Sequence, residues 1–343
     1  MVKRPTISDL ALAAGVSVAT VDRVLNGRLP VRADTARRVY EAAKLIDYHA
    51  AELIGRRVRP ERPELRLGFL LLRPKDEFYR AFAAEIERAA AGTEHSRCEA
   101  AIEFAETLAP DEMVERLRRL AAKCKAVAVV SPDHPTLTAA VAELSEKGVP
   151  VFSLLSDFAA GVRAGYVGVD NLKVGRTAAW MIARCARRPG KVALFVGSHR
   201  FHGHELREMG FRAYFREHAP QFTVLETLVN QESFSATHEA VVGLLAEHSD
   251  LAGFYVAGGG SEGAISALRQ ARPDPLPVAI CNEMTPDRRA ALADGLVTMV
   301  INTPVAALSR ALVDAMVAAA GAAHMSAGGQ IILPFDLFVP ESI

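Results

Sequence analysis

The stretch Thr6-Ile-Ser-Asp-Leu-Ala-Leu-Ala-Ala-Gly15-Val-Ser17-Val-Ala-Thr20-Val-Asp-Arg23-Val-Leu-Asn26 decides how the rest of the chain is read. Thr6 followed by Asp9 has the form of a helix N-cap, and Ile7, Leu10 and Ala13 or Ala14 recur behind it at helical spacing. This predicts a first helix over residues 7–14. Gly15 ends it, because glycine alone enters a left-handed C-cap without steric cost, and Ser17 can cap a second helix two residues later. In that second helix Val21, Val24 and Leu25 share the face that meets Leu10 and Ala14, while Val18, Ala19, Asp22, Arg23 and Asn26 point elsewhere. Helix, tight turn and helix in this order place a short helix in a DNA major groove. An ordinary helical hairpin would satisfy the same caps, so the reading depends on the chain that follows.

Asp34 to Ile46 carries Val39, Ala42, Ala43 and Ile46 at helical spacing, which predicts a third helix closing a small core, with Arg37 and Arg38 on its outer face. Tyr48 ends it. Ala50 to Val58 has weak helical character and is too short to hold a helix alone in water, and Arg59-Pro-Glu-Arg-Pro63 reads as a linker. Residues 1–62 hold 12 Lys+Arg against 7 Asp+Glu, and the remainder 28 against 33, although the whole chain has zero net charge. The basic end is the helix-turn-helix end, which favours a polyanionic partner and salt-dependent binding.

From Leu65 the pattern changes to short apolar or β-branched runs alternating with amphipathic helices. The runs are Leu65–Leu72, Ala100–Phe104, Ala126–Val130, Pro150–Leu155, Lys191–Gly197, Thr223–Val229, Ala252–Ala257, Pro277–Cys281 and Val297–Ile301, with a final strand over Ile331–Val339. The helices fall at 78–91, 110–123, 135–147, 171–187, 203–218, 235–247, 261–271, 285–294 and 304–320. Strands buried on both faces with helical crossovers make doubly wound parallel sheets, whose ligands bind beyond the carboxyl ends of strands. The fold class is thus α/β behind a three-helix head. No apolar run approaches a membrane span and no signal-peptide core follows the N-terminus, so a cytoplasmic protein without a membrane partner is expected. Cys98, Cys124, Cys185 and Cys281 form no CxxC pair and are expected to be buried thiols.

Thr6-Ile-x-x-Leu-Ala-x-x-Ala-Gly-Val-Ser-x-x-Thr-Val-x-Arg-Val-Leu-Asn26 resembles the DNA-binding head of LacI-family bacterial transcription regulators. The resemblance extends along the chain through Gly148-Val-Pro-Val-Phe152, Val167-Gly-Val-Asp170-Asn-x-x-x-Gly175, Arg207-Glu-Met-Gly210-Phe and Ala290 to Pro304. It implies a head over 1–49, a hinge over 50–63, and a two-lobed effector-binding and dimerisation domain like that of periplasmic binding proteins over 64–343. Lobe one would comprise about 64–188 and 304–327, and lobe two about 189–303 and 328–343. It further implies a homodimer on a pseudo-palindromic double-stranded operator, with a small sugar or polyol controlling affinity, no enzymatic activity and no cofactor. A dimer is expected over a tetramer, because no heptad tail follows the final strand. By position Val18, Ala19 and Arg23 carry base readout, with Ser17, Thr20 and Asn26 on the backbone or bracing the motif. Arg23 alone can make a bidentate guanine contact; its plain alternative is a phosphate. The hinge departs from the family, with Tyr48-His-Ala-Ala51 in place of Tyr-x-Pro-Asn. Leu53 or Ile54 is the candidate minor-groove wedge, and Arg56, Arg57 and Arg59 otherwise contact phosphate.

A sugar cleft needs convergent polar side chains and an aromatic cover. The candidates are Asp76, Phe78, Tyr79, Asp133, Asp157, Asp170, Arg207, Gly259, Asn282 and Asn302, with an N-cap and a surface arginine as the plain readings of Asp170 and Arg207. Where the family often has Asn-Asp, this chain has Gly258-Gly-Gly-Ser-Glu-Gly263. With Glu283 twenty residues on, Gly258-x-Gly260-x-x-Gly263 also satisfies a dinucleotide-binding fingerprint, which makes an NAD(P)-dependent oxidoreductase the rival reading. His199, His202 and His204 share a loop, but their spacing matches no standard zinc site and no metal is expected. No nucleophile elbow surrounds Ser198 or Ser261, so no hydrolase activity is expected.

Overall fold

A computed structural model describes residues 4–26, 31–58, 64–93, 96–321 and 328–343. The chain divides into two compact units, Met1–Pro63 and Glu64–Ile343. The first contains α1 (Ile7–Ala14), α2 (Val18–Asn26), α3 (Ala33–Leu45) and α4 (Ala51–Val58). Thr6 caps α1 through a reciprocal pair with Asp9, and Gly15 takes φ 62° to stop it. Leu10, Ala14, Val21, Val24, Val39 and Ala43 bury together, as their spacing requires. Arg38 does not simply face outward from α3: its Nη2 donates to the Ala14 and Gly15 carbonyls at 2.8 and 3.1 Å. A guanidinium on the last carbonyls of α1 satisfies groups the helix cannot and complements its dipole. Arg38→Ala should therefore lower head stability by about 1–2 kcal/mol, read as an earlier melting of the head's helical dichroism. An unchanged transition would remove Arg38 from the account of the turn.

The stretch with weak helical character forms α4, because tertiary burial supplies what propensity does not: Ile54 is fully enclosed in the head's core beside Tyr48.

The second unit starts with β1 (Glu64–Leu72), α5 (Glu77–Ala91), β2 (Arg97–Ala105), α6 (Pro110–Ala121), β3 (Ala126–Val129), α7 (Pro135–Glu146), β4 (Val151–Leu154) and β5 (Gly165–Val169). It continues through α8 (Asn171–Cys185), β6 (Lys191–Val196), α9 (His202–His218), β7 (Thr223–Val224), β8 (Leu228–Val229), α10 (Phe234–Glu247), β9 (Leu251–Val256), α11 (Ser261–Ala271) and β10 (Val278–Asn282). The last elements are α12 (Pro286–Ala293), β11 (Met299–Asn302), α13 (Val305–Gly321), β12 (Gly329–Leu333) and β13 (Asp336–Phe338). Sheet one runs β12-β5-β4-β3-β1-β2 and sheet two β13-β11-β10-β9-β6-β7, with β8 also on β6. Every pairing is parallel except β11 with β13. Runs such as Ala126–Val129 are buried on both faces, which is why they read as continuous apolar sequence.

β5 was absent from the expected strands because Gly165 and Gly168 dilute its apolar signal. The expected final strand is two: Pro334, which cannot donate to a ladder, separates β12 on sheet one from β13 on sheet two. Lobe membership changes accordingly, since β12 belongs to lobe one, and α8 packs Val174, Ala178 and Ile182 into lobe two with Phe211. The crossings between lobes thus lie after Val169, after Asn302 and at Pro334. Cys124 and Cys281 are buried and Cys98 partly so, but Cys185 is exposed at the end of α8.

Candidate functional site

On the head, α2 turns Val21 and Val24 inward and leaves Val18, Ala19, Asp22, Arg23 and Asn26 exposed. Ser17 Oγ accepts from the Thr20 amide at 3.2 Å and meets Thr20 Oγ1 at 2.9 Å, so these two residues brace the entry to α2. Asn26 donates to Asp22 at 2.6 Å, which leaves Arg23 as the cation on the presented face. In the hinge, the burial of Ile54 removes it as a wedge, because an enclosed side chain cannot enter a groove without opening its own core. Leu53, 47% exposed, is the apolar side chain left. The side chains of Arg56 and Arg57, and the whole of Arg59, lie outside the described residues.

In the second unit, the carboxyl ends of strands from both sheets converge on a cleft with about 790 Å³ of empty space, its open mouth included. Asp76, Phe78, Tyr79, Arg207, Gly259 and Asn282 line it, as their place in loops after strands or on the following helices suggests. Asp76 Oδ1 caps α5 by accepting from the Phe78 amide at 2.9 Å. Arg207 sits where Gly175 lets α8 approach the backbone of α9, and it donates to Asn171 Oδ1 at 2.7 Å and to the Ala257 carbonyl at 2.6 Å. Asn282 is buried and donates to Ala257 O at 2.7 Å and Tyr255 Oη at 3.0 Å. Burial, and then the charge of Glu232, push the Tyr79 phenol well above its ordinary pKa.

Four candidates lie elsewhere. Asp157 is engaged by Arg163, at 2.5 Å to Nε and 2.7 Å to Nη2, in the interior of lobe one. Asp170 is the N-cap of α8, its plain reading. Asp133 is exposed and borders a small separate cavity beside Arg200. Asn302 accepts from the Met284 amide at 3.0 Å and faces Asp336. Short polar side chains after strands serve caps and turns as readily as ligands, and sequence spacing does not separate the two.

The cleft also holds residues that spacing did not single out for an effector: Arg73, Asn171, Glu232, Glu283, Arg288 and Thr303. Glu283 takes φ 62°, and its carboxylate accepts from Thr303 N at 3.0 Å and Oγ1 at 2.8 Å while Arg288 Nη1 holds its carbonyl at 3.0 Å. Burial raises its pKa against the opposing pull of Arg207. Arg73, Leu155 and Glu232 also have positive φ, so strained backbone concentrates around this cleft. Glu232 lies in the loop after β8, the kind of position that strand ends mark in the sequence.

The glycine turn before α11 is not free for a pyrophosphate. The Gly259 amide donates to Glu232 Oε1 at 3.2 Å, so a carboxylate already occupies the anion-favouring end of the helix. The three histidines do not share a loop, since His202 and His204 open α9, and they diverge: His199 faces Glu208 at 3.8 Å, His202 faces Glu205 at 3.4 Å, and His204 turns into the cleft.

Residues 67–323 match the periplasmic binding protein domain family, and residues 6–50 match the lacI family of bacterial regulatory proteins. The chain belongs to the periplasmic binding protein domain family and carries a lacI-family head. An uncharacterized HTH-type transcriptional regulator in the aml 5' region of Streptomyces limosus is 30% identical over 210 residues, 60% of this chain. The chain spans 57% of that relative's length. The solved glucose-galactose binding protein GanP of Geobacillus stearothermophilus superposes with a TM-score of 0.73 at 16% identity, over 82% of this chain and 99% of that one. A solute binding protein from Agrobacterium vitis bound with α-D-tagatopyranose gives 0.72 at 21% identity, over 81% and 95%. These likenesses establish the two-lobed fold of the periplasmic binding protein domain, and none of them supports the oxidoreductase reading. No helix among the described residues is long and apolar enough to cross a membrane.

Proposed function

We propose that the chain is a cytoplasmic, sequence-specific transcription regulator, a repressor, whose operator affinity is set by a small uncharged sugar or polyol held between the two lobes. The observation that carries the DNA half is α2, whose exposed Val18, Ala19 and Arg23 stand opposite the buried Val21 and Val24 in a lacI-family head. One such helix offers a single bidentate donor, so two heads of a homodimer on a pseudo-palindromic operator supply the rest of the specificity, with Thr6, Ser17, Thr20 and Asn26 bracing the motif and Leu53, Arg56 and Arg57 along the hinge.

The effector half rests on charge. Arg73 pairs with Glu232, Arg288 pairs with Glu262 at 2.7 Å, and Arg207 lies near the buried Glu283, so each of the cleft's arginines has an acidic neighbour. A polyhydroxyl ligand can hydrogen-bond these groups without adding an uncompensated charge. Asp76, Arg207, Asn282 and Glu283 are among its polar contacts, and Phe78 and Tyr79 cover its apolar face. The related regulator and the carbohydrate-binding neighbours agree with this division of labour.

A thermal-shift screen of neutral sugars, polyols and sugar phosphates tests it, since a ligand at a hundred times its Kd adds about 2.7 kcal/mol of stability. A neutral sugar or polyol should raise the melting temperature of both the full chain and a truncation lacking residues 1–63, and only the full chain should select a DNA sequence from a random pool. Stabilisation by no carbohydrate, or selection by the truncated core, would overturn the corresponding half.

A further inference from the structure

Among the described residues, one ion pair joins the two lobes: Arg73, just beyond β1, with Glu232, in the loop after β8. Both line the cleft, and their side chains are 29% and 12% exposed. Arg73 Nη2 also donates to the Gln231 carbonyl at 3.3 Å.

The seat of Glu232 is built from glycines. A Cβ on Gly258 would come within 2.9 Å of Glu232 Oε1, and one on Gly259 within 2.9 Å of its Cβ, while Gly197 has the Glu232 side chain directly over it. A Cβ at any of these three positions would press on the Glu232 side chain more closely than an ordinary contact allows, so a neighbour would have to shift. The backbone is forced to match: Gln231 and Glu232 take φ 50° and 55° in succession, a left-handed pair that L residues rarely adopt. Asn230 enforces it, accepting from the Glu232 amide at 2.9 Å while donating to Gly259 O and Thr237 Oγ1, both at 2.9 Å. So much local strain and so many glycines around one carboxylate indicate that its position matters more than the local stability it costs.

We propose that the Arg73–Glu232 pair is the latch of the effector cleft, fixing how much of the population has its lobes closed, and that the effector reinforces closure by bonding to the same two groups. The second clause rests on the effector reading above; the first does not. Opening the lobes must separate Arg73 from a carboxylate that its glycine socket keeps in low-dielectric surroundings. The remaining cross-lobe bonds are neutral, chiefly the Asp133 amide to Arg200 O at 2.9 Å and the Gly203 amide to Ser156 Oγ at 3.0 Å. A charged pair therefore dominates the closed side of the balance.

Those two amides report closure directly, because each is protected across the cleft. Hydrogen exchange on the full chain should show Glu232→Gln and Arg73→Gln each accelerating exchange at Asp133 and Gly203 by on the order of tenfold, with the double variant no faster than either single one. Amides of the buried strand β9 serve as the control for global unfolding, and Arg73→Gln, altering a residue at the rim, decides the question if Glu232→Gln disturbs lobe two. Unchanged protection at both amides, or effects of the two substitutions that multiply, would overturn the latch. Neither readout involves a sugar or DNA, so failure of the regulator reading leaves this result standing on its own.

Discussion

Arg207→Ala should weaken effector binding by on the order of a hundredfold, measured by calorimetry with whichever sugar or polyol stabilises the parent protein most. Arg207 is anchored at both ends of its guanidinium, to Asn171 and to the Ala257 carbonyl, so it is pre-ordered before any ligand arrives. Truncation removes a charged donor and leaves both partners without it, which is costlier than losing an exposed contact. It also removes the cation that opposes the upward shift of Glu283, so that carboxyl moves further toward its protonated form. Arg207→Lys keeps that charge but not the planar fork, and should recover part of the affinity only. Equal affinity in the parent and the alanine variant would take Arg207 out of the site.

How far sequence reached this site depends on the kind of residue. Arg207 and Asn282 were legible because both follow a strand and the first sits in a recognisable helix pattern. Arg73 and Glu232 each follow a strand end and were reachable by that rule, but their pairing was not, because 158 positions separate Arg73 from Gln231, the neighbour of Glu232. The elements themselves were largely legible, since caps such as Thr6 and Ser17 and buried runs such as Ala126–Val129 leave local signatures. Which lobe an element joins is not a local property. An amphipathic helix after β5 fits either lobe, and only the packing of Val174 and Ile182 against Phe211 assigns α8 to the second. The break at Pro334 was visible as a residue, but an apolar stretch on both sides concealed that its halves serve different sheets.

Acidification provides the second large effect. Burial lowers the His204 pKa from 6.5 to about 4, so the folded protein resists a proton that the unfolded chain accepts. A depressed folded value means its contribution is fully present above the unfolded pKa and is lost as pH falls toward the folded one. The loss should reach about 2 kcal/mol by pH 5 and about 3 kcal/mol by pH 4. Glu283 works in the opposite sense, because its folded pKa is raised and its unfavourable charging grows as pH rises through that value. Urea unfolding of the parent and of His204→Gln at pH 7.5 and pH 5 separates the two. The parent should lose its advantage over the variant, or fall further behind it, by about 2 kcal/mol between those conditions, and parallel behaviour would show that His204 is not titrating as its enclosure requires.

The enclosure of Ile54 bears on how such proteins can be recombined. A recognition module is usually thought of as ending just after its third helix, which here stops at Leu45, and a fusion made there would look conservative. In this chain that cut would leave a hole in the head's own core, where α4 supplies the enclosed Ile54. A graft that carries the head to a new effector domain should keep everything through Val58 and be joined in the proline-bearing stretch before Glu64. The portable unit is four helices long.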